Sequence, residues 1–189
     1  MPVQEKRAGV LDTPLGKDKL AIVRFDGSEG VNELFEWRLE AVSAEGDIDF
    51  DGLIGKHATL TINGVNGRKR KFDGIVTEAR WLGVRDHFHA YRLVLRPWLW
   101  VLSQRTDNYI FHEMSVTDII ADVFSDYGAL AEFDDRTSAA YPPIEYCVQY
   151  RESDMAFVCR LMEEFGINYS FVHSDGAHKL IMTDQNSQF

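Results

Sequence analysis

Cysteine is scarce in this sequence. Only Cys147 and Cys159 occur, too few for the disulfide framework of a small secreted domain. Both fall in segments with strong structural patterning, which reads as buried free thiols of a cytoplasmic protein. Proline is also rare, with five residues. No apolar run approaches the roughly 20 residues of a membrane-spanning helix. The opening MPVQEKRAGVLDTPLG is charged and turn-rich and has no apolar h-region, so no signal peptide is read. Positive charge is in deficit: 20 Lys and Arg face 30 Asp and Glu, a net charge of −10. Phosphate backbones need clustered cations, so a general nucleic-acid binder is excluded. The G-x-S-x-G, P-loop, Rossmann glycine and H-E-x-x-H patterns are missing as well.

What is present is an ordinary globular composition, 45% hydrophobic and 26% charged. Residues 1 to about 18 read as a loose entry segment, followed by a strand over Lys19–Phe25. Val31–Leu34 suits one helical turn. Phe35, Trp37, Leu39 and Ala41 alternate with Glu36, Arg38 and Glu40, the pattern of a strand with aromatic residues inward and charges outward. Gly46–Gly55 is a connector whose Leu53 and Ile54 could plug one end of a barrel. His57–Ile62 and Lys71–Trp81 are strands joined by Asn63-Gly64-Val65-Asn66-Gly67, a strong hairpin signal. Another strand covers His87–Leu95. So many short strands and turns over residues 19–96 predict an antiparallel barrel or sandwich.

Pro97 ends that series, and PWLWVLSQ is a short aromatic helical segment. After an extended stretch, Asp107–His112, Ser115 caps a helix with Val116, Ile119, Ile120, Val123, Phe124 and Tyr127 on one stripe and Gly128 as its stop. Residues 131–143 read as a loop. Ile144, Tyr146, Val148 and Tyr150 then alternate as a half-buried strand. At Ser153 the period changes, and Phe157, Val158, Leu161, Met162 and Phe165 draw a helical stripe that ends at Gly166. Ile167–Val172 and Lys179–Met182 form a closing hairpin. The predicted fold class is mainly β with α+β: an antiparallel β-barrel over 1–105, then a smaller α+β domain with two amphipathic helices over 106–189.

Candidate chemistry is thin. His87 and His89 would share a strand face, but a metal needs a third ligand. Asp47, Asp49 and Asp51 lack the Gly and Glu of a calcium loop. Arg68-Lys69-Arg70-Lys71 reads as the exposed start of an edge strand, where cations deter edge pairing. Glu163 and Glu164 point about 100° apart and read as a solvated helix end. Cys147 and Cys159 belong to no recognisable nucleophile signature. No catalytic, cofactor-binding or metal residue is therefore assigned.

Four phrases together carry a resemblance: FDGIVTEAR (72–80), YRLVLRPWLWVLSQRTDNYIF (91–111), YPPIEYCVQYRESDMAFVCRLMEEFGINYSF (141–171) and DGAHKLIMTD (175–184). In this order and spacing they resemble the VgrG proteins, spikes of bacterial type VI secretion related to Rhs-associated Vgr proteins and contractile-phage tail hubs. The resemblance implies a structural, non-enzymatic hub of small barrels with an α+β insertion and no cofactor. It implies a homotrimer in the full-length form that adapts the Hcp tube to a puncturing spike, with effector or adaptor proteins as further partners. It implies assembly in the bacterial cytoplasm and export by the type VI machine, without stable membrane insertion. On length, the chain is expected to be the N-terminal part of a longer protein. Two other readings stay open: a protein-binding module holding an effector or adaptor, and a hydrolase using the carboxylates or His87 and His89.

Overall fold

The computed structural model describes residues 4, 7–64 and 66–185. The chain divides into two compact units. The first holds the described residues up to Glu29, together with Phe35–Pro97 and His173–His178. The second holds Gly30–Leu34, Trp98–Val172 and the described residues from Lys179 onward.

The first unit is one six-stranded antiparallel sheet. Its strands are β1 (Gly9–Asp12), β2 (Ala21–Ser28), β3 (Glu36–Ser43), β4 (His57–Asn63), β5 (Lys69–Arg85) and β6 (Phe88–Arg96), in the order β1-β4-β5-β6-β3-β2. The sheet curls into a half-barrel. Its two edges are brought together by the Gln4 side chain, whose Oε1 accepts from Leu11 N at 2.9 Å and Ile22 N at 3.4 Å. β1 lies inside what the sequence predicted as a loose entry, because its pairing partner, β4, is some 50 residues away (Leu11 opposite Leu60). Residues 1–3, 5 and 6 of that entry lie outside the described residues.

The alternation of β3 is obeyed. Trp37, Leu39 and Ala41 are buried, with Phe35 just before them. Phe35 stacks on Trp37 at 5.2 Å between ring centroids, and Phe72 meets Trp37 edge-on at 5.1 Å. On the outer face Glu36 is gripped by Arg96 at 2.7 Å, and Glu40 by Arg92 at 2.8 Å. β5 is far longer than expected and stays in the sheet by bending at two register shifts, Val76/Glu78 and Trp81/Gly83. Leu53 is buried as the connector pattern suggested, but Ile54 is exposed. Val31–Leu34, in the second unit, is not helical. Instead Asn32 N donates to Tyr169 O at 2.8 Å and Asn32 Oδ1 accepts from Tyr169 N at 2.9 Å.

The second unit opens with α1 (Trp98–Val101) and a 3-10 turn, then β7 (Thr106–Met114) and α2 (Val116–Ser125). β8 (Phe133–Asp135), β9 (Ile144–Ser153), α3 (Asp154–Glu164), β10 (Asn168–His173) and β11 (His178–Thr183) follow, with His173 and His178 at the strand ends counted in the first unit. Ser115 caps α2 by accepting from Asp118 N at 3.2 Å, and its hydroxyl donates to Asp118 Oδ2 at 2.6 Å. α2 stops at Ser125, before the predicted Tyr127. α3 keeps its predicted bounds: Ser153 Oγ accepts from Ala156 N, and Gly166 takes the left-handed φ of 68° that ends the helix. Gly166 N then donates to Glu163 O and Ile167 N to Met162 O, the paired bonds of a Schellman cap. Phe157, Val158, Leu161 and Met162 are all buried. The predicted loop 131–143 contains β8, which pairs parallel to β11 with Phe133 opposite Leu180. Its three residues are too few to show a period.

Candidate functional site

Two features beyond the apolar packing of the core could do work. The first is built on the β4–β5 hairpin of the first unit. The register places Thr59 directly opposite Asp73, with His57 opposite Ile75, so His57, Thr59 and Asp73 share one face. His178, at the start of β11, completes the group. Asp73 is fully buried, and its Oδ1 lies 2.7 Å from His57 Nδ1 and 2.8 Å from His178 Nδ1. Its Oδ2 accepts from Thr59 Oγ1 at 2.7 Å, and Thr59 Oγ1 in turn accepts from Gly176 N at 2.9 Å. Gly74, next in the strand, is required: a Cβ there would lie 2.9 Å from Leu95 Cβ and 3.0 Å from Phe35 Cε2.

Burial alone would raise the Asp73 carboxyl. Hydrogen bonds from His178, His57 and Thr59 outweigh it and hold the group below its ordinary value. Burial is the main influence on His178 and pushes its imidazole down, against the pull of Asp73. The cluster is thus a buried carboxylate with a neutral His178. A carboxylate only accepts, so His178 carries its proton on Nδ1. The Thr59 hydroxyl donates to the carboxylate and not to an imidazole, so the nucleophile–base pair of a hydrolase is not formed. His57, Asp73 and His178 present ligand atoms within 4.8 Å of one another, the chemistry of a small cation site.

The second feature is the ribbon of β7 and β9 in the second unit. Its rows pair Asn108 with Tyr150, Ile110 with Val148, and His112 with Tyr146. The opposite face carries Phe111 and Cys147, both buried, and Phe111 stacks on Phe157 of α3 at 5.5 Å. This corrects the predicted orientation of β9. Tyr146, Val148 and Tyr150 are 62%, 47% and 64% exposed, and Ile110 on the adjacent strand is 52% exposed. The helices cover the face with Cys147 and Gln149, because Gln149 must reach Asp154 Oδ1, 2.7 Å away. The result is an exposed apolar face of two tyrosines and two aliphatic residues, the composition of a protein–protein contact surface.

The residues weighed in the sequence fall elsewhere. His87 does not share a strand face with His89. It occupies the β5–β6 turn at φ 67°, beside Asp86 at φ 47°, the conformation of a two-residue primed turn. His89 sits on β6 opposite Ser43 and Val84. Asp47, Asp49 and Asp51 form no metal group among the described residues; Asp49 Oδ1 simply accepts from Asp51 N. The basic run starts the one-sided stretch of β5, which pairs with β4 alone until β6 joins at Ile75. Arg70 pairs with Glu29, and Lys71 lies 3.0 Å from Asp175. Glu163 and Glu164 are exposed. Burial pushes both thiols up, Cys159 to about 11.

Residues 28–189 match the family described as phage tail baseplate hub (GPD). The chain is 41% identical over 181 residues to the type VI secretion system spike protein VgrG1b of Pseudomonas aeruginosa, covering 96% of this chain and 24% of that protein. It is 29% identical to the spike protein VgrG3 of Vibrio cholerae, covering 90% of this chain and 18% of that protein. The chain therefore spans 24% and 18% of the length of these two relatives. Its fold is that of the E. coli c3393 protein, a type VI secretion component with structural similarity to T4 tail proteins gp27 and gp5. The TM-score is 0.84 at 20% identity, over 95% of this chain and 50% of that one. A Neisseria meningitidis tail protein shares the fold at a TM-score of 0.59 and 14% identity, over 92% of this chain and 49% of that one. The half-barrel with its α+β companion and the VgrG-like phrases thus have one origin: the chain belongs to the phage tail baseplate hub family.

Proposed function

We propose that the chain is the N-terminal hub portion of a type VI secretion spike protein, acting by shape and assembly and not by catalysis. In the longer protein it would trimerise and adapt the Hcp tube to the spike, with residues 1–105 as the first barrel and 106–189 as the inserted domain. The exposed face of Tyr146, Val148, Tyr150 and Ile110 carries this reading. It is apolar and displayed on a paired ribbon, where an isolated protein would place polar residues. Its proposed occupant is a second copy of the chain within the trimer. The family membership and the identity to VgrG spike proteins support the same role. Effectors or adaptors would be carried elsewhere on the assembled spike, which would assemble in the cytoplasm and leave through the type VI machine.

The test is the mass of the full-length protein in light scattering, alongside Hcp release from cells. A trimer is expected, converted to monomer by the pair Val148→Asp and Tyr150→Asp, together with loss of Hcp from the medium. A full-length monomer, or a trimer and Hcp release indifferent to both substitutions, overturns the reading.

A further inference from the structure

We propose that His57, Asp73 and His178 form a binding site for a divalent transition metal ion, with zinc the ion whose preferences they match best. Two imidazole nitrogens and one carboxylate oxygen converge within 4.8 Å of one another. Two imidazoles and a carboxylate are a ligand set that zinc uses when it keeps a fourth position for water. The set is also preorganised. Asp73 is held from its other oxygen by Thr59, and Thr59 is held by Gly176 N–H, so Oδ1 is left to face both rings. Such outer partners fix ligand orientation at metal centres. The imidazoles now stand 2.7 and 2.8 Å from Oδ1. A cation with ligands at about 2.0–2.2 Å would spread these pairs to roughly 3.3 Å and draw the ring nitrogens, within 4.8 Å of each other, in to a similar separation.

Protons balance in the exchange. Each imidazole passes its Nδ1 proton to Nε2 or releases it to water, and the cation takes the place of the Nδ1 protons between the rings and the carboxylate. Access comes through His57, whose side chain is 32% exposed while those of Asp73 and His178 are closed. A groove of about 350 Å³ opens there, lined by Asp12, Thr13, His57, Thr59, Asp175 and Gly176. Its acidic mouth favours a cation, and its width admits the water that would fill the fourth position.

The experiment titrates zinc chloride into tag-free protein, reading calorimetry, competition against a chromogenic chelator, and the visible spectrum with cobalt substituted for zinc. One equivalent should bind, and zinc should raise the melting temperature. His57→Gln should weaken binding by at least about tenfold and abolish the zinc-dependent rise, while the metal-free circular dichroism spectrum shows that the fold is retained. Thr59→Val, which removes only an outer partner, should cost about 10–100-fold in affinity. His87→Gln, in a turn on the same unit, should change nothing. Natively folded protein that binds no zinc overturns the proposal. So does one-equivalent binding that survives His57→Gln, or that falls equally with His87→Gln. Asp73→Asn and His178→Ala need not fold for the outcome to be decided, because His57 lies at the surface.

Discussion

The hydroxyl of Tyr127 donates to Asp154 Oδ2 at 2.6 Å, tying the chain just beyond α2 to the first residue of α3. Asp154 is buried, and its other oxygen accepts from Gln149 Nε2 at 2.7 Å, while Arg105 Nε stands 3.7 Å away. A buried carboxylate survives only with such company. Its partners come from β9, the α2 exit and the segment before β7, so one acid organises three pieces of the second unit.

Tyr127→Phe should therefore destabilise the protein by about 1.5–3 kcal/mol, the usual worth of a hydrogen bond to a charged group. Chemical denaturation measures it. A double-mutant cycle with Asp154→Asn should show coupling above about 0.5 kcal/mol. Independent, additive effects would remove Asp154 from this organising position.

The α3 stripe and the β9 face make opposite forecasts. Phe157→Ala and Leu161→Ala empty fully closed sites and should each cost about 2–5 kcal/mol. Val148→Ser and Tyr150→Ser should stay within about 0.5 kcal/mol, as surface changes do. Melts of the 189-residue chain decide the point. A large loss at Tyr150 would show that the ribbon is covered within the monomer.

Acid should weaken the outer face of the sheet. Partial burial alone would raise the Glu36 carboxyl, but hydrogen bonds and charge from Arg96 and Arg38 hold it below 4.5. Glu40 is held down chiefly by Arg92. A carboxyl lowered on folding contributes stability above its unfolded value and loses it as pH falls through its folded value. Glu36→Gln should be less stable than the parent at pH 7, and the gap should close as pH drops below 4.5. Urea titrations at three pH values test this, and a gap constant with pH would refute it.

Cys159 should be a sluggish thiol. With its thiol pushed up to about 11 by burial, only about 0.1% is thiolate at pH 8, against roughly a quarter for an unperturbed cysteine. Iodoacetamide labelling of the native protein should keep accelerating about tenfold per pH unit beyond pH 10. A plateau near pH 9 would mean an ordinary exposed thiol.

Much of this molecule was legible from local pattern. The β3 alternation, the Ser115 and Ser153 caps, the Gly166 stop and the α3 stripe each depend on residues within a turn or two of each other. Harder to read were β1 and β8, whose pairing partners are distant in sequence, and the sense of the β9 alternation. The cation-like cluster was half legible. The Asn-Gly turn sets the β4–β5 register and so puts His57 and Thr59 beside Asp73, but nothing local announces His178, 105 residues further on.

The sequence by itself determined the periods, the stops and the family. Side-chain spacing and backbone preference at caps and glycines are local physics, carried whole in the order of residues. Only the tertiary structure decided which face of β9 would meet the helices, and which histidines would gather on Asp73. Both choices surround a buried carboxylate with polar partners. Asp154 and Asp73 each draw polar partners from remote segments to offset lost water, and the apolar face of Tyr146, Val148 and Tyr150 is left outside.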